Sequence, residues 1–167
     1  MAEPGQGAMK LDPALFCGDI DIRIAADGTW FHEGGPIGRK NLVKLFASAL
    51  ERDETGDYWL ATPVERARIR VDDAPFVAVE MQVEGSGGDQ CLTFRTNIDA
   101  EIIADSAHPL TFRARPNGEP APYLCLGGGL SALVIRAVYY ELIAHGVTER
   151  HDGDDQFGVW SAGSFFA

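Results

Sequence analysis

The sequence has few cysteines, no long apolar run and no leader-like start, and these absences exclude several classes of protein. Its three cysteines are odd in number and show no paired spacing, which predicts reduced thiols in a reducing compartment. No apolar run approaches the ~20 residues that a membrane-spanning helix needs. Met1 to Lys10 contain no apolar stretch of the kind found in a signal peptide. The sequence therefore predicts a soluble, cytoplasmic protein without a membrane partner.

Basic side chains are also scarce. The chain has 14 Lys and Arg against 25 Asp and Glu, and its formal net charge is -11. Long nucleic acid is bound by neutralising phosphates with Lys and Arg, so this balance disfavours such a partner. A small anion in a local basic pocket is still compatible with it. The 167 residues, 46% of them hydrophobic, suffice for one ordinary domain or for two very small ones that share a core.

Catalytic and metal-binding signatures are incomplete wherever they begin. Gly38-Arg39-Lys40-Asn41 is similar to a phosphate loop, but that motif needs Ser or Thr after the Lys. His32-Glu33 begins like a zinc-protease helix, but Pro36 stands where the second His belongs. Gly128-Gly129-Leu130-Ser131 lacks the glycine spacing of a nucleophile elbow. We therefore predict no catalytic residue, no metal site and no cofactor.

The hydrophobic pattern predicts a chain made mostly of strands with two helices. Residues 1–10 are predicted to be a flexible N-terminus, with order beginning near Leu11. Asp27-Gly28 is a hairpin signal. Alternation and helical spacing predict, in order, strands at 19–25, 29–32 and 58–61 with a helix beginning near Ile37, a meander at 64–71, 76–83 and 90–96, strands at 110–114 and 123–126, a helix from Leu130 to Gly146, and a last strand at 157–161.

One order of elements occurs at both ends of the chain. Strand, tight turn, strand, glycine break, helix, acidic turn and aromatic strand follow one another twice, with Asp27-Gly28 matched by Asn117-Gly118. Chance similarity of two ββαβ units is the alternative to duplication. The predicted fold is α+β with two related ββαβ-containing domains, at 11–62 and 63–167, whose helices begin near Ile37 and Leu130.

Three groups of side chains are candidates for an anion site. Arg39 and Lys40 fall in the first turn of a predicted helix, where cations oppose the helix dipole unless an anion is nearby. Arg66 shares one strand face with two further arginines, and like charges there need acidic partners or an anion. Arg95 and Asn97 share the polar face of another strand. Plain solvent exposure, ion pairing and a polar domain interface are the respective alternatives.

Several segments, in order, resemble a known family. The match includes Phe16-Cys17-Gly18-Asp19-Ile20-Asp21, Gly28-Thr29-Trp30-Phe31, Pro36-Ile37-Gly38-Arg39, Leu42-Val43-Lys44-Leu45-Phe46, Thr62-Pro63-Val64-Glu65, Asp73-Ala74-Pro75-Phe76-Val77, Phe94-Arg95-Thr96-Asn97, His108-Pro109-Leu110, Pro122-Tyr123-Leu124 and Arg136-Ala137-Val138-Tyr139-Tyr140-Glu141-Leu142. Together they look like the bacterial domain of unknown function DUF1285, from about Leu11 onward.

This resemblance implies two domains related by duplication and a C-terminal domain similar to the pleckstrin-homology fold, with a curved antiparallel sheet and a helix at one end. It also implies an interdomain groove for a nucleotide-like ligand, a role in signal transduction and no established catalytic residue. Relatives tend to carry Arg just before the second helix, where this chain is predicted to have Gly127-Gly128.

The leading hypothesis is a non-enzymatic ligand-binding or signalling module that takes a small, nucleotide-like anion in the groove between its domains. The predicted binding residues are Arg39, Lys40, Arg66, Arg95, Asn97 and Arg113. Arg39 and Arg95 in particular are predicted to face that groove. An adaptor that binds a protein partner without a small ligand is the alternative. An enzyme would need a close pair of titratable groups in a cleft.

Overall fold

The computed structural model describes residues 16–63 and 65–167, with side chains from Gly18 onward. The predicted flexible residues 1–10 and the predicted start of order at Leu11 lie outside this range. The chain divides into two compact units after Asp72, whereas the sequence analysis placed a boundary after Thr62. The strand that begins at Glu65 pairs within the first sheet, so it extends the first unit.

The first unit is a six-stranded sheet with one helix. Its order is β3-β2-β1-β6-β5-β4, and the two central strands, β1 and β6, are parallel. The elements are β1 Phe16–Ile24, β2 Trp30–His32, β3 Gly35–Pro36, α1 Lys40–Ser48, β4 Leu50–Arg52, β5 Tyr58–Ala61 and β6 Glu65–Val71.

Alternation along β1 places Ile22 and Ile24 in the core, with Trp30 of the next strand beside them. The turn between these strands has Gly28 at φ 89°, a left-handed conformation that favours glycine. The predicted Asp27-Gly28 hairpin is therefore confirmed.

The second unit contains a six-stranded sheet, a helix and a small three-stranded sheet. The larger sheet has the order β10-β11-β12-β7-β8-β9, and its central strands β7 and β12 are parallel. The smaller sheet has the order β13-β14-β15. The elements are β7 Phe76–Glu84, β8 Cys91–Thr96, β9 Glu101–Ile103, β10 Leu110–Ala114, β11 Pro120–Gly127, β12 Leu130–Val134, α2 Arg136–Ala144, β13 Val147–His151, β14 Asp154–Ser161 and β15 Ser164–Phe166, with a 3-10 turn at Gly87–Asp89.

Buried polar side chains join the small sheet to the large one. Ser161 Oγ accepts a hydrogen bond from the Leu92 backbone N–H at 2.9 Å, and Gln90 Nε2 donates to the Trp160 carbonyl at 2.9 Å. These bonds satisfy groups that would otherwise be costly to bury. The core of this unit includes Val77, Tyr123 and Leu133.

The predicted start of the second helix at Leu130 is wrong. Residues Leu130–Val134 form β12, which lies between β11 and β7, and the helix begins at Arg136. All but Leu130 of this strand are buried. A strand buried on both faces has a continuous apolar run, which periodicity cannot distinguish from a helical segment.

The predicted ββαβ repeat is wrong, because the strands and helices that it matches occupy different places in the two sheets. β1 is a central strand, whereas its predicted counterpart β10 is an edge strand. Helix α1 lies between β3 and β4, whereas α2 follows the sixth strand of its sheet. Instead, the order of β1 to β6 in the first sheet is repeated by β7 to β12 in the second, with a parallel pair at each centre.

The fold is thus α+β and dominated by mixed sheets, with two helices among the described residues. The antiparallel sheet implied for the second unit is found in part, because its β7–β12 pair is parallel and its other pairs are antiparallel. Similarity of this unit to the pleckstrin-homology fold stays a prediction. No helix in the described ranges is long and apolar enough to span a membrane.

Candidate functional site

Arg39 and Lys40 lie at the exposed start of α1. Arg39 is the N-cap residue, with extended backbone angles of φ −91° and ψ 107°, and it makes no side-chain capping bond. The first turn contains no acidic residue. A basic residue at this end opposes the helix dipole, and an N-cap position favours Asp, Asn, Ser or Thr. The charge of Arg39 is therefore unfavourable for the start of α1.

Replacing Arg39 with Asp is expected to stabilise the protein by about 1 kcal/mol, because a carboxylate at the N-cap can accept backbone N–H groups of the first turn and suits the helix dipole. For a chain of this size that corresponds to a rise in Tm of roughly 2–4 °C. Differential scanning calorimetry measures it. Arg39→Ala is the control, since it removes the cation without adding an acceptor. A lower Tm for Arg39→Asp than for wild type would show that the cation already serves a stabilising contact.

The three arginines on one face of β6 differ in their partners. Arg68 Nε donates to Asp19 Oδ1 at 2.8 Å, and Arg70 Nη2 donates to Asp21 Oδ1 at 3.0 Å. Arg66 instead lies over the ring of Trp59, with 4.2 Å between Cζ and the ring centroid. Carboxylates of neighbouring β1 thus pair with two of the three arginines, as the ion-pairing interpretation expects.

Arg95 and Asn97 are engaged within the second unit. Arg95 Nε donates to Glu80 Oε1 at 2.9 Å and its Nη1 to Asp99 Oδ1 at 3.2 Å. The hydrogen bond to Glu80 raises the pKa of the Arg95 guanidinium. Asn97 Oδ1 accepts the Val77 backbone N–H at 3.1 Å. Both side chains therefore have partners that hold neighbouring segments together, and a groove shared by Arg39 and Arg95 stays a prediction.

Arg113 leads to a polar cluster that sequence reasoning missed. Its Cζ lies 3.7 Å from the centroid of the Tyr123 ring. The Tyr123 hydroxyl donates to Asp73 Oδ1 at 2.6 Å, and Arg115 Nε donates to Asp73 Oδ2 at 3.1 Å. The side chain of Asp73 is 5% exposed. Burial, followed by the bond to Asp73, raises the pKa of Tyr123 to about 12. The buried carboxylate thus fixes the position of Arg115.

A cleft of about 230 Å³ lies beside this cluster, between the β10–β11 hairpin, β12 and the first turns of α2. We call it the Arg115–Arg136 cleft. Glu119 Oε1 accepts a hydrogen bond from Arg136 Nη2 at 3.3 Å and lies 4.0 Å from Arg115 Nη1. One carboxylate oxygen therefore occupies the space between two guanidinium groups. Tyr139 and Tyr140, also in the lining, have their ring centroids 6.5 Å apart.

The remaining lining of the cleft is apolar. Buried Ala121 and Leu133 form part of it. Arg136 is the first residue of α2, and the N-cap residue Ile135 provides no side-chain hydrogen bond to the first turn. Two cations, an uncapped helix start and an apolar wall are together suited to a small anion with some apolar surface.

Sequence reasoning missed this cleft because it placed the helix start six residues too early. With α2 beginning at Arg136, this chain does have an Arg at the start of its second helix, whereas Gly127 ends β11 and Gly128 lies in the β11–β12 connection. The sequence of the β10–β11 hairpin did contain a signal for the other two charged residues of the cleft. Arg115 and Glu119 flank the Pro116-Asn117-Gly118 turn, and the Arg115 N–H donates to the Glu119 carbonyl at 2.7 Å.

No group of three or more His, Cys, Asp or Glu side chains in the part of the chain that the structure describes is arranged to hold a metal ion. Cys91 and Cys125 are free thiols, and both are half-buried.

Two family models together span nearly the whole sequence. The N-terminal domain of unknown function DUF1285 matches residues 10–74, and the C-terminal domain of the DUF1285 protein of unknown function matches residues 75–167. The chain belongs to the DUF1285 family. The resemblance found in its sequence motifs is confirmed, and the division between the DUF1285 domains falls within two residues of the division between the two compact units.

Solved structures of DUF1285 proteins share the fold. A DUF1285 family protein from Silicibacter pomeroyi DSS-3 is 46% identical, with a TM-score of 0.84 over 99% of this chain and 88% of that chain. A DUF1285 family protein from Shewanella baltica OS155 is 28% identical, with a TM-score of 0.56 over 74% of this chain and 91% of that chain. No curated protein matches the sequence.

Proposed function

We propose that this DUF1285 protein is a non-enzymatic ligand-binding module that takes a small anion in the Arg115–Arg136 cleft. The observation that carries the proposal is the Glu119 carboxylate oxygen between two guanidinium groups. A carboxylate of the chain already occupies the place that an external anion would take. The sequence analysis predicted a nucleotide-like anion in a groove between the domains. We retain the predicted small anion as the ligand, but we propose a binding site within the second unit.

The energetics favour exchange of one anion for another. Glu119 and Arg136 are more than half exposed, with side-chain exposures of 54% and 66%, and an exposed ion pair contributes only ~0–1 kcal/mol. Arg115 is better placed, because its side chain is 24% exposed and bonded to buried Asp73. A ligand that meets Arg115 and Arg136 with two charge-assisted bonds can therefore displace Glu119 at small cost.

The decisive experiment compares anion binding by variants on either side of the cleft. Isothermal titration calorimetry with inorganic phosphate, acetate and AMP gives the affinity of the wild type. Arg136→Ala is expected to weaken binding by up to about fivefold, because a contact of an exposed charged side chain contributes up to about 1 kcal/mol. Glu119→Gln is expected to strengthen it, because the competing carboxylate is removed while the side chain keeps its size.

Arg150→Ala is the matched control. Arg150 is also an exposed arginine of the second unit, and it pairs with Asp155 rather than with a cleft residue. Equal affinities for wild type, Arg136→Ala and Arg150→Ala would exclude the cleft as the anion site. Weaker binding by Glu119→Gln would show that Glu119 positions the two arginines instead of competing with the ligand.

A second candidate function, a protein-interaction module, is favoured by exposed apolar side chains in the second unit. Tyr140, Ile143 and Phe157 are 61%, 42% and 53% exposed. Single exposed apolar residues are ordinary, but a cluster is typical of interaction surfaces. The partner that can be tested directly is a second copy of the chain. Absence of anion binding, together with a mass that rises with concentration in light scattering, would favour this function. We also propose, for either function, a role in signal transduction and a second domain similar to the pleckstrin-homology fold.

A further inference from the structure

A second cavity lies along the same helix, further toward its C-terminus. Its volume is about 320 Å³, and most of its lining is apolar, from β10, α2, β14 and Ala167. The lining includes Phe112, Leu142, Ile143 and Phe157. Phe157 is 53% and Ile143 42% exposed, so much of the apolar surface of this cavity faces solvent. We call it the apolar cavity. An apolar cavity of ~150 Å³ already holds benzene in another protein, so this volume accommodates a short alkyl chain.

Tyr139 lines both the apolar cavity and the Arg115–Arg136 cleft. Its side chain is half-buried and lies in the middle of α2. The cleft therefore presents two guanidinium groups on one side of Tyr139, and the apolar cavity presents aliphatic and aromatic side chains on the other. A ligand that spans Tyr139 would place charge and hydrocarbon in separate, adjacent environments.

We infer that the ligand is an anionic amphiphile, an alkyl carboxylate whose head lies between Arg115 and Arg136 and whose chain extends past Tyr139 into the apolar cavity. This inference rests on the proposed function and adds the class of ligand. The head is assigned as a carboxylate because the Glu119 carboxylate already occupies that position. The tail is assigned as hydrocarbon because the apolar cavity adjoins the cleft and leaves Ile143 and Phe157 exposed.

Chain length is the variable that tests the inference. Burial of each methylene group contributes roughly 0.8 kcal/mol, which is about a fourfold gain in affinity. Titrations with acetate, butyrate, hexanoate and octanoate, below their micelle concentrations, are therefore expected to show affinity rising by up to about 250-fold from butyrate to octanoate, the gain for four buried methylene groups. Octanol, which has the tail without the charge, is expected to bind much more weakly than octanoate.

Two variants separate the head from the tail. Ile143→Gln makes the apolar cavity polar and is expected to remove most of the dependence on chain length while leaving acetate binding unchanged. Val147→Gln is its matched control, because Val147 is also exposed, at 38%, but does not line the apolar cavity. Arg136→Ala is expected to weaken the binding of every carboxylate by a similar factor.

The outcomes distinguish the inference from the proposed function. Binding of acetate, phosphate or AMP without any gain from butyrate to octanoate would overturn the inference and leave the proposed function standing. Absence of binding for all anions would overturn both. Equal affinities for octanol and octanoate would overturn the assignment of the head group. A dimer in light scattering that Ile143→Gln abolishes, with no ligand effect, would assign the apolar cavity to a second copy and overturn the inference.

Discussion

Asp73→Ala is expected to destabilise the protein by about 3–5 kcal/mol, the cost of removing one partner of a buried charged pair. The variant leaves the Tyr123 hydroxyl without its acceptor, and Arg115 without the carboxylate that its Nε meets at 3.1 Å. Tyr123 belongs to the core of the second unit, so the loss affects that core directly. Urea unfolding followed by circular dichroism measures it.

The neighbouring residue provides the control for this prediction. Asp72 also pairs with an arginine, Arg23, but its side chain is 42% exposed. Exposed pairs contribute ~0–1 kcal/mol, so Asp72→Ala is expected to change the free energy of unfolding by less than about 1 kcal/mol. Tyr123→Phe is expected to be intermediate, because it leaves the pair of Asp73 and Arg115 in place. Comparable losses for Asp72→Ala and Asp73→Ala would contradict the role assigned to the buried carboxylate.

Gly158→Ala is expected to destabilise the second unit by about 3 kcal/mol or more, at the upper end of what overpacking costs. A methyl group at this buried position would overlap the Phe166 carbonyl oxygen and approach the Phe165 ring to 2.8 Å. The carbonyl belongs to β15, which pairs with β14, so relief requires movement of backbone. Thermal unfolding measures the loss.

Gly146→Ala is the matched substitution. A methyl group there would also overlap another group, but that group is the outer edge of the Phe157 ring. Phe157 is 53% exposed and can rotate into solvent, so the loss is expected to be under about 1 kcal/mol. A Gly146→Ala variant as unstable as Gly158→Ala would mean that the Phe157 ring is held as firmly as backbone.

Strands with one buried face were predictable from their alternation, whereas a continuous buried run was predicted correctly as a strand in β5 and was missed in β12. In β6, alternating arginines leave Ala67 and Ile69 buried, as the period-two pattern predicts. The same reasoning predicted β8, where Leu92 and Phe94 are fully buried. It failed at β12, because Ala132 to Val134 are buried together and carry no alternation. The start of α2 was then misplaced by the same run of apolar residues.

The candidate site was less predictable than the fold, because its members come from separate elements. Arg115 and Glu119 belong to a hairpin, whereas Arg136 begins a helix and Asp73 begins the unit. Only strand pairing brings these positions together. Of the arginines predicted from local pattern, Arg95 pairs with Glu80 and Asp99, and Arg66 lies over the Trp59 ring. Local like-charge patterns indicate where partners are needed, and the partners here are mostly carboxylates of adjacent strands.

The parallel pair at the centre of each large sheet has a consequence for the order in which the chain folds. Phe16 pairs with Glu65 in the first sheet and Phe76 with Ala132 in the second, whereas most other pairs lie in consecutive strands. Contacts between distant residues require costly loop closure and form late. During synthesis each sheet is therefore expected to stay as a three-stranded and a two-stranded part until its sixth strand emerges. In that interval β1 or β7 is an open edge, available to the wrong partner.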